Sequence, residues 1–450
     1  MIKTSAIFLF LNYCLGKKVD MSMVVAKIDW RQLYTFASRQ ALLGFCFDGI
    51  KRLTKEFSEE LKQNPMGRDL LMTWMGAAQQ IRRQNMKVNA VAGKLYSKFR
   101  EDGLRCCILK GQGNALMYPN AYSRNPGDID VWVNASKEDI TEYAKRHFNL
   151  EDDIRFHHLE TSLDGVPVEL HFFPCTMNNP IYNARLQKWF KRNADLQCSN
   201  VVSLPDGIGE IAIPTSAFNV IYQLTHLYHH FFDEGIGMRQ IIDYYYVVRD
   251  FYKVYQNSSK ITPSLFTIKE GSTSHPDPLS LRGEGGNRPT RCSEPLRSKD
   301  GGSSKVSPNC AGWGRLTIEG DNSAGSTTAV TSYASTALDV VQRELKYLGL
   351  WKFAGAVMYV LHEALGLPEE KMIAPMDEKR GKLLLAEILN GGNFGKHFTK
   401  YGHFTQQGMA KKYFLKIWRN MHFVRYYPAE ALSEPIFRTW HFFWRMKNKK

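Results

Sequence analysis

The sequence lacks several features that would place it in a familiar class of protein. Its 450 residues contain no C-x-x-C pair, and the eight cysteines are scattered, which excludes a zinc ribbon, a thioredoxin-like motif and a disulfide scaffold. No apolar run approaches the ~20 residues of a membrane span, which excludes a polytopic membrane protein. The scattered cysteines indicate reduced thiols, and we therefore expect a cytoplasmic location, with peripheral membrane contact left open.

The composition is otherwise that of an ordinary globular protein. Hydrophobic residues make up 44% and charged residues 23%, so a wholly disordered or collagen-like chain is excluded. The length predicts two or three domains. The net charge is +15, and residues 396–450, with 12 Lys/Arg and 2 Asp/Glu, contribute +10 of it. A basic surface of this kind favours anionic partners, which are nucleotides, nucleic acid or lipid headgroups.

The chain divides into helical and mixed segments. Amphipathic spacing and good helix formers predict mostly helical structure before and after a central block of short apolar runs, which predicts an α/β core. We expect an N-terminal extension at 1–24, a helical segment at 25–103, an α/β core at 104–205, a helical domain in two parts at 206–257 and 337–450, and an insertion at 258–336 between those parts.

Two of these segments are not expected to fold with the rest. The first 24 residues carry an apolar stretch after Lys3, a weak signal-peptide pattern, and we interpret them as a frayed extension, with a cleaved signal as the alternative. Between Ser258 and Thr336, 40 of 79 residues are Gly, Ser, Thr or Pro. Such a segment cannot bury enough apolar surface to offset its ordering entropy, so we predict a disordered insertion within the helical domain.

The predicted core contains four strands and a helix. Residues 104–109 and 129–133 are short apolar strands, and Lys137 to Phe148 reads as a helix. Two further strands, 155–163 and 166–173, flank Asp164-Gly165, which is a strong β-hairpin signal.

Alternation along two of these strands brings acidic side chains to one face. Side chains on a strand point to opposite faces in turn, so Asp128 and Asp130 share a face, as do Glu169 and His171 on the later strand. If the two strands are neighbours, three carboxylates converge. Like charges ~4 Å apart repel by ~4 kcal/mol at an effective dielectric of 20, so either a proton is shared or a cation lies among them. Oxygen ligands favour Mg²⁺ or Mn²⁺, often together with substrate phosphates.

Lys110-Gly111 lies where the first strand is followed by a helix. Because glycine has no side chain, the backbone at Gly111 can approach a phosphate closely, and the following helix N-terminus attracts anions. Lys110 adds a positive charge near the same phosphate. A lone Lys-Gly is a weak signal; the order of glycine turn, helix, Asp-x-Asp pair and distant carboxylate is more specific.

This order of motifs resembles the nucleotidyltransferase superfamily that includes DNA polymerase beta and kanamycin nucleotidyltransferase. The closer details resemble the uncharacterised bacterial nucleotidyltransferase family, in which Lys-Gly, Arg-x-x-Gly-Asp-Ile-Asp, Glu-Leu-His and Gly-x-x-x-Arg-Gln-x-x-Asp follow one another. The matching residues are Lys110-Gly111, Arg124 to Asp130, Glu169 to His171, and Gly235, Arg239, Gln240 and Asp243.

The resemblance implies an α+β fold, with a small mixed β-sheet core flanked by helices and a helical C-terminal domain. It implies catalytic and metal-binding roles for Asp128, Asp130 and Glu169, with Mg²⁺ or Mn²⁺ as cofactor and an NTP as substrate. Many members have serine after the glycine of the turn, where this chain has Gln112. Lys110 or Gln112 is therefore expected to replace the phosphate contact of that serine.

Several of these residues have a simpler interpretation. The two aspartates can be ordinary turn and strand-edge acids, Glu169 can be solvated on an exposed face, and His171 is more often a packing or hydrogen-bonding residue than a ligand. Arg124 either binds a phosphate or braces the loop before Asp128.

Three groups in or near the helical part also have open interpretations. Arg239 either binds a phosphate or forms an i,i+4 ion pair with Asp243. His226, His229 and His230 have spacing that can bind zinc, although a partly buried polar face is the favoured interpretation. Cys106-Cys107 are expected to be small buried hydrophobic residues.

The C-terminal segment interleaves basic and aromatic residues, including Lys411, Lys416, Trp418, Arg438 and Trp440. This pattern suits single-stranded nucleic acid, such as RNA, or an anionic membrane surface. The third possibility is an ordinary docked helix with basic residues outward, which is the interpretation we favour.

Two functions therefore remain from the sequence. The first is an enzyme that transfers a nucleoside monophosphate from an NTP to an unknown acceptor, for which a sugar, a polysaccharide precursor, a small alcohol, a protein side chain and an RNA end are candidates. The second is a nucleotide-binding or interaction protein that has kept the fold and lost the reaction. The three intact carboxylates favour the first.

Overall fold

The computed structural model of the chain describes residues 4–150, 155–258, 336–398 and 409–448. The described residues belong to one compact unit. The predicted disordered insertion lies outside the described residues, apart from its two end residues.

Sixteen helices occur in the described residues, and together they surround two small sheets. Their bounds are α1 Thr4–Cys14, α2 Ser22–Val25, α3 Trp30–Arg39, α4 Leu43–Glu56, α5 Ser58–Gln63, α6 Arg68–Glu101, α7 Gly111–Ala115, α8 Lys137–His147, α9 Pro180–Ser199, α10 Ser216–Asp233, α11 Met238–Ser258, α12 Ala337–Tyr347, α13 Trp351–Leu365, α14 Glu378–Gly391, α15 Met409–Met421 and α16 Pro428–Asn448. The strands are β1 Cys106–Leu109, β2 Ile129–Val133, β3 His158–Leu163, β4 Val166–His171, β5 Val201–Ser203 and β6 Glu210–Ala212.

The main sheet has four strands in the order β1-β2-β4-β3, and β5 pairs with β6 in a separate ribbon. In the main sheet β2 and β4 are parallel, while the other two pairs are antiparallel. The predicted hairpin is confirmed: Asp164 (φ +51°) and Gly165 (φ +71°) form the two-residue turn between β3 and β4. Both turn residues have positive φ, as a type I′ turn requires. The expected fold class, α+β with a small mixed sheet and a helical C-terminal part, is confirmed.

The helix boundaries follow local signals. At the end of α6, Gly103 (φ +77°) allows Leu104 N–H to donate to Phe99 O at 2.8 Å, a C-terminal cap. The helical part predicted at 206–257 contains two helices, because the chain turns at Gly235 (φ +105°) between α10 and α11. Thr336 caps the first turn of α12 by accepting a hydrogen bond from Asp339 N–H at 3.1 Å.

Both faces of the main sheet are covered. Ile129, Val131 and Val133 pack on one face with residues of α6 and α8, as the alternation predicted. Trp132 lies on the other face, stacked on Phe218 of α10. The acidic face of β2 is therefore not a solvent-exposed surface, and the helices around it determine what can reach the carboxylates.

The prediction of a frayed N-terminal extension is wrong for the residues that the structure describes. Helix α1 packs against α4 and α13, and its Phe10, Leu11 and Tyr13 are buried in the core. The side chain of Asn12 donates to the carbonyl oxygen of Ala364 at 3.0 Å. The apolar run that resembled a signal peptide is the buried face of this helix.

The C-terminal segment forms α15 and α16, and part of it is internal. Arg419 is 1% exposed and its guanidinium lies over the ring of Phe423. Lys416 and Arg438 both pair with Asp233 at the end of α10, at 2.8 and 3.0 Å. The docked helix that we favoured is present, but several basic residues of it face inward. In the described parts of the chain, no helix has the length and apolar character to cross a bilayer.

Candidate active site

Asp130 and Glu169 lie side by side in the middle of the main sheet. They are register partners across the parallel strands β2 and β4. On the other side of Glu169, its partner across the hairpin is Glu160 of β3. A row of three carboxylates thus crosses three strands on one face. The condition on which the sequence argument depended, that the two acidic strands are neighbours, is met.

His171 joins two of these carboxylates. Its Nε2 lies 3.0 Å from Asp130 Oδ1 and 3.1 Å from Glu169 Oε2. Burial lowers the pKa of this imidazole, but the hydrogen bonds and charges of the two carboxylates outweigh it and raise the pKa to about 9. At neutral pH His171 is therefore a cation that donates its Nε2–H to the carboxylate pair. The interpretation of His171 as a packing or hydrogen-bonding residue agrees with these contacts.

Lys110 is the second cation of the site. Its Nζ lies 2.7 Å from Asp130 Oδ1, and both side chains are largely buried. Burial alone would lower the pKa of Lys110, but the charges of Asp130, Asp128 and Glu169 raise it overall. The pKa of Asp130 is held well below its usual range, because Lys110 and His171 lower it by more than burial raises it. Lys110 lies in the turn after β1 and has φ +52°, a backbone conformation that is uncommon for residues other than glycine.

Asp128 stands at the entrance of β2 and is more exposed than Asp130. Repulsion from Asp130, followed by burial, raises the pKa of Asp128 to about 6. Among described residues, the groups whose ligand atoms all lie within 4.8 Å of one another include Asp130, Glu169 and His171, but not Asp128. The structure thus brings together two of the three predicted carboxylates and places the third beside them.

The glycine turn differs from the expected phosphate loop. Gly111 has φ +21°, and a Cβ there would lie 3.8 Å from Asp128 O, so the turn passes close to the acidic loop. Gln112 is 2% exposed and its Oε1 has no hydrogen-bond partner among the described residues. Helix α7 spans only five residues. A helix does begin at Gly111, as expected, but so short a helix aligns few peptide dipoles, and anion binding at its N-terminus stays a prediction.

Arg124 braces the loop before Asp128. Its Nε and Nη2 donate to the two carboxylate oxygens of Asp243 on α11, each at 2.9 Å. Tyr118 Oη donates to the same carboxylate at 2.7 Å. Arg124 and Asp243 are both buried. Of the two roles considered for Arg124, this geometry favours the brace; its phosphate-binding role stays a prediction.

Arg239 does not form the ion pair with Asp243 that the i,i+4 spacing suggested, because Asp243 pairs with Arg124. Its Nη1 donates instead to Asn125 O at 3.2 Å, and its buried Nε has no partner among the described residues. Burial, and then repulsion from Arg124, lower the pKa of Arg239. Arg239 is thus a buried cation beside the acidic loop with donor capacity left over, and phosphate binding by it stays a prediction.

The donor set fits a divalent cation. Asp130 and Glu169 supply carboxylate oxygens, which Mg²⁺ and Mn²⁺ prefer, and the Nε2–H of His171 orients both carboxylates. The raised pKa of Asp128 indicates that the carboxylates are not fully neutralised by the two cations of the chain. A cation among them would relieve this repulsion.

Sequence reasoning missed Glu160 and His158 of β3. His158 is the register partner of His171, and Glu160 is that of Glu169. The signal was available: a two-residue Asp164-Gly165 turn pairs residues whose numbers sum to 329, which fixes both partners. Glu160 also pairs with Arg155 at 2.6 Å.

The remaining histidine and cysteine predictions concern packing. His229 Nδ1 contacts Thr176 O at 3.1 Å, and His226, His229 and His230 are absent from the metal-capable groups of the described residues. The favoured interpretation of a partly buried polar face agrees with their burial. Cys106 and Cys107 are buried in the core on opposite faces of β1, as expected.

A family model described as an uncharacterised nucleotidyltransferase matches residues 26–258, which is 233 of the 450 residues. A crystal structure of an antigenic nucleotidyltransferase-like protein from Paracoccidioides brasiliensis is similar at 15% identity and a TM-score of 0.25, covering 40% of this chain and 89% of that one. That likeness is too partial to indicate fold or function. No curated protein matches.

Proposed function

This chain belongs to the uncharacterised nucleotidyltransferase family, and we propose that it transfers a nucleoside monophosphate from an NTP to an acceptor, with Mg²⁺ or Mn²⁺ as cofactor. One observation supports the proposal above the others: Asp130 and Glu169 are paired in register on neighbouring parallel strands, beside the Lys110-Gly111 turn. In this reaction the acceptor oxygen forms a bond to the α-phosphorus, and the bond from that phosphorus to the bridging oxygen of the leaving pyrophosphate breaks.

The carboxylates would hold the cation. Asp130 and Glu169 would be its principal ligands, and Asp128 the third. When bound, a divalent cation supplies charge that offsets the triphosphate and the leaving pyrophosphate. Asp128 must be ionised to act as a ligand, and a pKa of about 6 leaves it mostly ionised at neutral pH.

A carboxylate of the site also takes the proton of the acceptor hydroxyl. The pKa of Glu169 is lowered overall: burial and the charge of Asp130 raise it, but the hydrogen bond and charge of His171 lower it by more. Glu169 is therefore a weak base. Asp128, with its raised pKa and greater exposure, is the stronger base of the two, and we assign proton removal to the oxygen of its carboxylate that would not bind the cation.

The cations of the chain have a second task. Lys110 directly precedes Gly111 in the turn, so its side chain can leave Asp130 and contact a phosphate oxygen bound at that turn. Arg239, with an unpartnered Nε beside Asn125, can donate to another phosphate oxygen if the loop opens. Arg124 stays paired with Asp243 and holds the loop that ends at Asp128.

Transfer is tested by incubating the protein with each α-labelled NTP, Mg²⁺ and a cell lysate, and by identifying any labelled product by mass. We expect label in one product class with the wild type and none with Asp130→Asn or Glu169→Gln. Glu138→Gln, at an exposed position of α8, is the matched control and should behave as the wild type. Equal labelling by wild type and Asp130→Asn would contradict the site assignment, and no labelling with any NTP would favour the alternative below.

The second candidate is a nucleotide-binding protein without the transfer reaction. It is favoured by two observations at the turn: Gln112 is buried, and Lys110 is engaged by Asp130. Neither side chain is free, in this conformation, to replace the missing serine. This protein would bind NTP with Mg²⁺ in calorimetry and release no pyrophosphate with any acceptor.

We also propose that α15 and α16 contact an anionic membrane surface. Helix α16 exposes an apolar stripe at three- and four-residue spacing, in which Ile436 is 73% and Phe443 61% exposed. On α15, Phe414 is 68% exposed beside the exposed Lys411. Apolar side chains flanked by basic ones suit insertion among acidic headgroups.

A further inference from the structure

Three histidines lie together at the end of the hairpin, next to the carboxylate pair. His158 and His171 are directly opposite each other on β3 and β4, and His157 precedes His158. One ligand nitrogen from each of the three lies within 4.8 Å of the others. The ring centroid of His158 is 4.3 Å from that of His157 and 5.1 Å from that of His171.

Two of these rings have a buried nitrogen without a partner. His158 and His171 are each 3% exposed, and neither Nδ1 has a hydrogen-bond partner among the described residues. A buried polar atom that makes no hydrogen bond costs about 1–3 kcal/mol, and few native structures retain one without a reason. Here two such atoms occur on adjacent residues of the same sheet face.

The other nitrogen of His171 is placed as in a metal-ligating histidine. Such a histidine almost always donates its second ring N–H to a carboxylate or carbonyl, which fixes the tautomer and turns the first nitrogen to the metal. The Nε2 of His171 contacts Asp130 and Glu169 at 3.0 and 3.1 Å. This arrangement leaves Nδ1 of His171 without a hydrogen-bond partner, and a metal ion bound there would displace the Nδ1 proton that the imidazolium carries.

We propose that His157, His158 and His171 bind one divalent transition-metal ion of the zinc class. Three imidazoles favour zinc, cobalt or nickel over Mg²⁺, which prefers oxygen. This site is separate from the carboxylate site and does not depend on the proposed transfer. Glu169 lies between the two, since its Oε2 is 3.5 Å from His158 Nδ1. Glu160 is not included, because its carboxylate pairs with Arg155 at 2.6 Å.

The ion would fix the orientation of His171 and hence of the carboxylates it contacts. With Nδ1 of His171 bound to the metal, the ring proton would be fixed on Nε2. The Nε2–H group would then donate to Asp130 and Glu169 and hold the two carboxylates together. The three histidines are therefore positioning residues for the carboxylate pair.

The first test measures metal content. The full chain is produced without a polyhistidine tag, with zinc in the medium, and analysed by mass spectrometry of the metals after desalting. We expect one zinc ion per chain in the wild type and in His147→Gln, a matched control at an exposed position of α8. We expect loss of the zinc in His158→Gln. If circular dichroism shows that this variant is unfolded, His157→Gln, with its half-buried ring, replaces it.

The second test distinguishes this site from the carboxylate site. Asp130→Asn should keep its zinc, and Co²⁺ added to the metal-free wild type should give the visible absorption of a four-coordinate nitrogen site. An excess of Mg²⁺ should leave that absorption unchanged. A wild type that holds no zinc and gives no cobalt absorption would overturn the proposal. Zinc retained by both His157→Gln and His158→Gln, or lost from Asp130→Asn, would overturn it too.

Discussion

The buried ion pair between Arg124 and Asp243 should make the largest single electrostatic contribution to the stability of the acidic loop. Its two hydrogen bonds of 2.9 Å join the loop before β2 to α11, across 119 residues of sequence. We predict that Arg124→Met and Asp243→Leu each destabilise the protein strongly, and that the double variant is more stable than either single variant.

The magnitude follows from what each change leaves behind. Removing one member of a buried pair costs about 3–5 kcal/mol, because the other charge stays buried without a partner. Asp243→Leu should cost more than Arg124→Met, since it leaves Arg124 and Arg239 facing each other without a carboxylate. In the double variant both charges of the pair are gone. The main remaining loss is the hydrogen bond of the Tyr118 hydroxyl, about 1–3 kcal/mol.

The assay is urea unfolding followed by tryptophan fluorescence near pH 7.5. An exposed ion pair, Lys62 with Glu59, supplies the control, and Glu59→Gln should change the free energy of unfolding by less than ~1 kcal/mol. Additive losses, with the double variant the least stable, would refute the reasoning.

The pair should also give a defined pH dependence. Burial raises the pKa of Asp243, but Arg124 lowers it further, so the folded-state pKa lies below the unfolded value. The stabilisation is then fully present above the unfolded pKa of about 3.9, and it is lost as the pH falls through the lower folded value. In urea unfolding, the contribution of Asp243 to the stability of the wild type should thus be constant at neutral pH and lost only in strong acid. In Arg124→Met, where burial is no longer offset by that arginine, Asp243 should take up a proton at a higher pH, and the difference from the wild type should shrink from there.

Three further predictions concern the site and the C-terminal helices. Since Asp128 has a pKa of about 6 and must be ionised to bind a cation, Mn²⁺ affinity in calorimetry should fall about tenfold from pH 7 to pH 5. In Asp128→Asn this dependence should be weaker; an unchanged slope would contradict the assignment. Lys110→Met should weaken NTP binding about tenfold or more while Mn²⁺ binding is kept or strengthened, and equal loss of both would contradict a phosphate role. Ile436→Ser combined with Phe443→Ser should reduce sedimentation with anionic vesicles at low salt. A wild type that ignores these vesicles but binds RNA would redirect the proposal to nucleic acid.

Point substitutions suit the C-terminal helices better than truncation. Phe423 and Tyr427 are buried in the main core, and Arg419 is almost fully enclosed. Removing the segment would therefore expose core surface, and any loss of binding could come from unfolding. The exposed stripe on α16 can be changed without touching those residues.

Local sequence signals predicted the strands and the hairpin of the main sheet, but not the long-range contacts of the residues around it. The Asp164-Gly165 turn and the alternation along 129–133 predicted the hairpin and the face of Asp130, since both depend on neighbouring residues alone. The same turn also fixed the positions of Glu160 and His158, so these could have been found by counting back from it. The sequence therefore contained the information needed to place both residues.

The errors come from contacts that are distant in sequence. The spacing of Arg239 and Asp243 suggested a helical ion pair, yet Asp243 is taken by Arg124, which no local pattern could reveal. The apolar run of α1 resembled a leader because its burial partners, α4 and α13, lie far along the chain.

The charges of the site explain why cation and nucleotide should enter together. Three carboxylates, Asp128, Asp130 and Glu169, face two cations, Lys110 and protonated His171, which leaves the site negative. The raised pKa of Asp128 is the expression of that remaining charge. A divalent cation alone would turn the balance positive, and a triphosphate alone would meet unneutralised carboxylates. Each ligand therefore removes the electrostatic cost of the other, so their binding should be mutually favourable. Lys110, released from Asp130 when a stronger charge takes its place, is then available to the phosphates.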